Sequence, residues 1–161
     1  FLCHHKAEAG AFARWLKIEM LGNQKVSRDV FLDSDNLESL HQLLNFVATD
    51  VECIVVLGSK SIYQRPWCLG EMATAHRQRV QAVVLAMPGY ALLSKAELDL
   101  SEVFGVQSLL ENGISSEAIR QTAEAFAAKP VVTLPQRMGD TSMSRLVGML
   151  ADRELQGNVA E

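Results

Sequence analysis

Short, continuous apolar runs alternate with longer amphipathic segments along this chain, and that alternation constrains the fold most. The runs at 53–57 and 81–85 are rich in β-branched residues, which is typical of strands covered on both faces. The segment 8–21 instead carries its apolar side chains at the spacing of one helical face: Phe12, Trp15, Leu16 and Met20. Buried strands that alternate with helices predict an α/β fold, with an open parallel sheet of about five strands and helices on both faces.

The remaining elements follow from the same patterns. Further strands are predicted at residues 1–3, 29–33 and 131–134, the last as an edge strand, and further helices at 37–47, 67–79, 115–128 and 142–155. We find no internal repeat and no linker, so residues 1–161 are predicted to form a single domain.

Charge and composition exclude several classes of protein. Nineteen acidic residues against fifteen basic ones give a net charge of −4, so no nucleic-acid partner is expected. The longest apolar runs are far too short to cross a bilayer, so no membrane segment is predicted. The chain opens at Phe1 rather than at methionine, and we interpret it as a domain of a longer polypeptide. Its three cysteines cannot all pair, which favours a reducing, cytoplasmic setting.

Common motifs for cofactors and metals are absent from the sequence. There is no G-x-G-x-x-G, no P-loop, no H-E-x-x-H, no C-x-x-C and no G-x-S-x-G. Cys3-His4-His5 suggests a metal site, but adjacent histidines in a strand point to opposite faces. No metal and no cofactor are therefore predicted.

One segment carries a pattern with chemical content. Sites in open parallel sheets lie at the carboxyl ends of the strands, here residues 4–6, 33–40 and 58–71. Within the last range, Trp67 and Glu71 are four residues apart and share one face of a helix. An aromatic ring beside a carboxylate can hold a flat heteroaromatic group and a sugar. The alternative is a buried tryptophan that anchors the helix, with Glu71 a solvated surface acid.

Taken together, these pieces resemble a TIR (Toll/interleukin receptor) domain over residues 1–90. The first box of that family, a strand followed by a short basic loop, is matched by Phe1-Leu2-Cys3-His4-His5-Lys6. Its second strand and BB loop are matched by Asp29-Val30-Phe31-Leu32-Asp33 with Asn36-Leu37-Glu38. The most specific match is Trp67-Cys68-Leu69-Gly70-Glu71-Met72, which resembles the W-C-L-x-E-[LM] pattern of NAD-cleaving TIR domains.

The resemblance implies a flavodoxin-like fold and an enzyme that hydrolyses NAD⁺. Glu71 stands at the position of the catalytic glutamate, and Trp67 would flank the base or the ribose. His4, His5 and Lys6 would contact the pyrophosphate, or else belong to a solvated loop. Ser59 and Leu37 complete the predicted substrate-binding residues. NAD⁺ is the substrate, with no cofactor, and the product is ADP-ribose or a cyclic ADP-ribose isomer.

The resemblance also implies partners and leaves alternatives. Other TIR domains would bind through the BB loop, Asp33–Leu40, so that assembly serves innate-immune signalling. The stretch 91–134 is longer than expected in the family and is either an elaborated αD region near the site or a harmless elaboration. One alternative function is a non-catalytic signalling scaffold, and another is a nucleoside-processing enzyme such as a deoxyribosyltransferase.

Overall fold

An open parallel sheet forms the centre of the fold. The structure is a computed structural model that describes residues 1–32, 39–92, 100, 103, 105–152 and 157–159. The strands of these residues are β1 (Leu2–His4), β2 (Cys53–Gly58), β3 (Gln81–Ala86), β4 (Val131–Thr133) and β5 (Gly157–Asn158). They are all parallel and lie in the order β1-β2-β3-β4-β5. Four strands have three or more residues and β5 has two. The parallel strands and the helices between them confirm the predicted α/β fold with an open parallel sheet.

Helices cover both faces of this sheet. They are α1 (Lys6–Leu21), α2 (Leu40–Thr49), α3 (Pro66–Arg77), α4 (Val106–Glu111), α5 (Ser116–Ala127) and α6 (Asp140–Ala151). Side chains of α1 and α6 share one apolar core with one face of the sheet, and side chains of α2, α3, α4 and α5 share a second core with the other face. The helices on both faces were therefore predicted correctly.

Strand alternation divides the core into these two parts. Neighbouring residues of a strand point to opposite faces, so Leu2 of β1 packs in the α1/α6 core and Cys3 packs in the α3 core. In the same way Val56 faces α3, whereas Val55 and Leu57 face α1. Because both faces are apolar, the central strands appear in the sequence as unbroken hydrophobic runs.

The predicted strand at 29–33 is reduced to a single bridge. Leu2 donates its N–H to the carbonyl of Phe31 at 3.0 Å, and Leu32 forms a parallel bridge with Leu2. Asp33 lies outside the described residues. The segment still flanks β1 on the side opposite β2, which gives the sheet the strand order of a flavodoxin-like fold.

Other boundaries agree with the sequence patterns to within a few residues. Ser115 caps α5 as predicted, because its hydroxyl accepts the N–H of Ala118 at 3.1 Å. The predicted edge position of residues 131–134 is wrong, since β5 pairs with β4 on the outer side. The two-residue strand Gly157–Asn158 has no apolar run that would have revealed it. Both α4 and α5 lie in the long stretch 91–134.

No helix within the described ranges is both long enough and apolar enough to span a membrane.

Candidate functional site

Helix α3 carries the pattern that the sequence singled out. Proline at the first helical position starts it, since Pro66 has the backbone angle of a helix and needs no N–H partner there. The following residues are buried almost all round, with eight consecutive buried positions from Cys68 to Ala75. Glu71 is among them and is 0% exposed. The alternative in which Glu71 is a solvated surface acid is therefore wrong.

Trp67 lies one turn before Glu71, at the start of the same helix. It is half-buried and packs against the apolar core between α3 and the sheet. One part of the Trp67 ring is therefore exposed to solvent, and the other part packs against the core. Trp67 and Glu71 are thus adjacent in the helix, as their spacing predicted, but only the tryptophan reaches solvent.

Three side chains with possible ligand atoms meet between β1 and α3, and we call them the interior cluster: Cys3, Cys68 and Glu71. Their ligand atoms, two sulfurs and a carboxylate oxygen, all lie within 4.8 Å of one another, and all three residues are buried. The thiol of Cys68 donates to the carbonyl of His4 at 3.3 Å. Each cysteine is a thiol rather than half of a disulfide.

The thiol of Cys3 is held in its neutral form. Burial raises its pKa well above the usual value, and the neighbouring Cys68 and the charge of Glu71 raise the pKa further. A thiolate is therefore strongly disfavoured in this dry region. Under ordinary conditions, we infer, Cys3 does not act as a nucleophile.

A second group of polar side chains lies at the carboxyl ends of β1 and β2, and we call it the edge cluster: His5, Glu8, Ser59 and Ser61. The backbone N–H of Ser61 donates to Glu8 Oε2 at 3.0 Å, and His5 Nδ1 lies 3.1 Å from the same oxygen. Helices on opposite faces follow β1 and β2, so the edge cluster occupies the switch point of the sheet, where ligands bind in folds of this kind.

Glu8 of the edge cluster is a carboxylate at neutral pH, and its surroundings favour the charged form. Partial burial by itself would raise its pKa, but the neighbouring Ser59 hydroxyl, the hydrogen bond from Ser61 and the proximity of His5 lower the pKa of Glu8 to about 2. Nothing in the spacing of the sequence pointed to Glu8 or Ser61. A signal was available in hindsight, because an acid in the first turn of a helix after a buried strand faces the next loop at this edge.

The predicted substrate-binding residues do not all lie together. His5 and Ser59 belong to the edge cluster, and Lys6 is exposed at the start of α1. His4 is buried on the α1 face of the strand: its Nδ1 is 3.4 Å from the carbonyl of Leu2, and its ring lies against Gly10. Strand alternation thus places His4 on the face opposite Cys3. Leu37 and residues 33–38 of the BB loop lie outside the described residues.

Two tyrosines beside the edge cluster were not identified from the sequence as a pair. The hydroxyls of Tyr63 and Tyr90 are 2.9 Å apart, and their rings are stacked with centroids 6.2 Å apart. Burial raises the pKa of both phenols above their ordinary value. The ring of Tyr90 lies directly over Gly58, where an added methyl group would be 2.8 Å from the ring carbons. Gly58 is therefore required for this close approach.

Two cavities lie away from the interior cluster. One, of about 230 Å³, opens at the amino ends of the strands between Phe1, Phe31 and Cys53. The other, of about 250 Å³, lies between α3 and α5 and is lined by Thr74 and Thr122 among others. Neither is lined by Trp67 or Glu71. In this conformation Glu71 is closed off from solvent, so a ligand could reach it only after a local rearrangement.

No family model matches the chain, and no curated protein sequence matches it significantly.

Proposed function

We propose that the chain is an NAD⁺ glycohydrolase of the TIR type. It would cleave the bond between nicotinamide and ribose and release nicotinamide with ADP-ribose or a cyclic isomer. One observation carries the proposal: Glu71, on the helix that follows β2, is completely buried one turn after the half-buried Trp67. Enzymes hold carboxylates in dry surroundings where they must stabilise charge, because electrostatic interactions are strongest there.

The chemistry requires little beyond such a carboxylate. Nicotinamide leaves as a neutral molecule from a cationic ring, so no general acid is needed. Positive charge then develops on the ribose in an oxocarbenium-like transition state, as in glycoside cleavage. Glu71 would stabilise that charge, and Trp67 would flank the base or the ribose. Attack at the anomeric carbon by water, with loss of a proton to solvent, gives ADP-ribose, and attack by an adenine nitrogen gives the cyclic product.

Phosphate binding is assigned to the carboxyl edge of the sheet. His5 and Ser59 lie there in the edge cluster, and Lys6 provides an exposed cation nearby. Because Glu8 stays ionised, it would orient His5 and the 59–61 loop rather than contact a phosphate. His4 is buried under α1, so its part in the proposal is to support β1.

The closed position of Glu71 gives the proposal a further requirement. Substrate can reach a fully buried carboxylate only if the region around α3 opens. We assign that opening to self-assembly, in which residues 33–40 of one copy complete the site of its neighbour. Activity per molecule is then expected to rise with protein concentration. The same proposal places the chain in cytoplasmic innate-immune signalling, which three cysteines without a disulfide support.

The test is nicotinamide release from NAD⁺ at high protein concentration with and without a crowding agent, and with products separated by chromatography. The wild type is compared with Glu71→Ala and with the control Glu124→Gln, which alters an exposed glutamate of α5. We expect release that is lost in Glu71→Ala and retained in the control. Retained turnover in a folded Glu71→Ala protein would contradict the proposal.

The alternatives give different results in the same assay. Self-association without any nicotinamide release would indicate the scaffold. Cleavage of free nucleosides in preference to NAD⁺ would indicate an enzyme of the deoxyribosyltransferase kind.

A further inference from the structure

The interior cluster brings together two cysteine sulfurs and a carboxylate oxygen from two segments that are far apart in the sequence. Cys3 and Cys68 are 65 residues apart in the chain, and the packing of α3 against β1 makes them neighbours of the Glu71 carboxylate. A buried thiol is ordinary in a core, where it behaves as a small apolar group. A glutamate is hardly ever fully buried, so its position beside two buried thiols is unusual for a protein core.

From this juxtaposition we infer that Cys3, Cys68 and Glu71 form a binding site for a thiophilic divalent cation of the Zn²⁺ class. Two sulfurs and one carboxylate oxygen are donors that zinc accepts, and three protein ligands leave a fourth position for water. Mg²⁺ and Ca²⁺ prefer oxygen alone and do not fit this set of donors.

The distances suit this assignment. Zinc binds sulfur at about 2.3 Å and carboxylate oxygen at about 2.1 Å, so ligand atoms of a tetrahedral site lie about 3.5–3.8 Å apart. The three donor atoms are already within 4.8 Å of one another. The upper limit of 4.8 Å exceeds the tetrahedral separation by about 1 Å, so the donor atoms would move closer together as the ion binds.

Formation of the metal–sulfur bonds releases the protons of the two thiols. Both thiols lose their protons to the buffer as the two metal–sulfur bonds form, so metal binding is accompanied by proton release and weakens as the pH falls. No oxidant or reductant takes part. Because the cluster is buried, the ion has to enter through a local opening, and we expect slow association.

The test uses the whole chain, freed of metal with a chelator, with Zn²⁺ and Co²⁺ as the probes. Zinc affinity is measured by competition with a chromophoric chelator after incubation long enough for exchange. Cobalt reports the ligands, since thiolates give sulfur-to-cobalt charge-transfer bands and a tetrahedral site gives intense visible bands. Proton release is followed in weak buffer.

Three cysteine variants are compared: Cys3→Ala, Cys68→Ala and the matched control Cys53→Ala. Cys53 opens β2 and is not a member of the interior cluster. We expect one ion per chain, at least a tenfold loss of zinc affinity in Cys3→Ala and in Cys68→Ala, and unchanged affinity in Cys53→Ala. Glu71→Gln should weaken zinc binding and keep the sulfur-to-cobalt bands.

Several outcomes would overturn the assignment. These are no zinc binding by the wild type, cobalt spectra without sulfur bands, or equal affinity in Cys53→Ala and a folded Cys68→Ala. Circular dichroism identifies a variant that fails to fold, and Cys68→Ser then replaces the alanine variant. All of these measurements follow the ion and need no NAD⁺, so they stand or fall separately from the proposed function. Only one consequence rests on that function, namely that bound zinc would occupy Glu71 and inhibit NAD⁺ cleavage.

Discussion

The edge cluster and the interior cluster each contain one glutamate, and the two carboxyl groups differ sharply in their surroundings. Glu8 is partly exposed at the end of β1 and accepts hydrogen bonds from the loop after β2, which lower its pKa to about 2. Glu71 is 0% exposed and lies among two sulfurs. A carboxylate held by hydrogen bonds is suited to orient its neighbours, whereas one kept dry is suited to stabilise charge on a ligand.

Substitutions of the two glutamates should change different kinetic parameters of the proposed enzyme. Under the proposed function, Glu71→Gln should lower kcat for NAD⁺ cleavage by a factor on the order of 100 or more, since it would remove the electrostatic stabilisation of the transition state. Glu8→Gln should raise KM several-fold with little change in kcat, because it only loosens His5 and the 59–61 loop. Steady-state rates of nicotinamide release measure both parameters. Equal losses of kcat in the two variants would remove the distinction between the clusters.

Local patterns were sufficient for most of the fold. The predicted runs at 53–57 and 81–85 are buried on both faces except at their first residues, so they lack polar alternation, and this identified them as strands covered on both faces. The segment 29–33 has three apolar residues between two aspartates, and it lies at the sheet edge, where pairing depends on a neighbour that no local pattern specifies. For the same reason β5 could not be predicted from its two residues.

The candidate site was predictable only in part. Trp67 and Glu71 share a helix, so their proximity followed from the helical repeat alone. The meeting of Cys3 with Cys68 depends instead on how α3 packs on β1, across 65 residues of chain. The burial of Glu71 could not be predicted either, because a glutamate is hardly ever fully buried and no local pattern marks this one as an exception.

Gly58, next to the edge cluster, allows a test of how much the close contact with Tyr90 contributes to folding stability. A methyl group at Gly58 would lie 2.8 Å from the ring of Tyr90, so Gly58→Ala should destabilise the fold by about 2 kcal/mol. Urea denaturation measures the loss. The matched control is Gly148→Ala in the interior of α6, where nothing lies within 4 Å and a gain of up to about 1 kcal/mol is expected.

A double-mutant cycle locates the cause of the effect at Gly58. If the clash with the ring is responsible, Gly58→Ala should cost much less in a Tyr90→Ala background than in the wild type. Equal costs in the two backgrounds would show that the cost of Gly58→Ala does not come from a clash with the Tyr90 ring.

The tyrosine pair is expected to contribute less than the glycine contact. Tyr63→Phe and Tyr90→Phe each remove one side of a 2.9 Å hydrogen bond and should cost about 1 kcal/mol, with the double variant costing less than the sum. Their raised pKa values make the folded state favour neutral phenols. This contribution is complete below the ordinary pKa of 10.0 and is lost as the pH rises above it. Melting temperatures across that range, wild type beside the double variant, should converge at high pH.

The smallest expected change in folding stability concerns Glu8, whose contribution is lost at acid pH. Its pKa falls from an ordinary value of 4.5 to about 2 in the folded protein, so the folded state favours the ionised form. The resulting stabilisation is complete above pH 4.5 and is lost as the pH falls towards 2. Because Glu8 is partly exposed, Glu8→Gln should cost only about 1 kcal/mol at neutral pH. Urea denaturation of both proteins from neutral to acid pH should show the difference shrinking below pH 4.5; a difference that stays constant would mean that shape rather than charge holds the edge cluster.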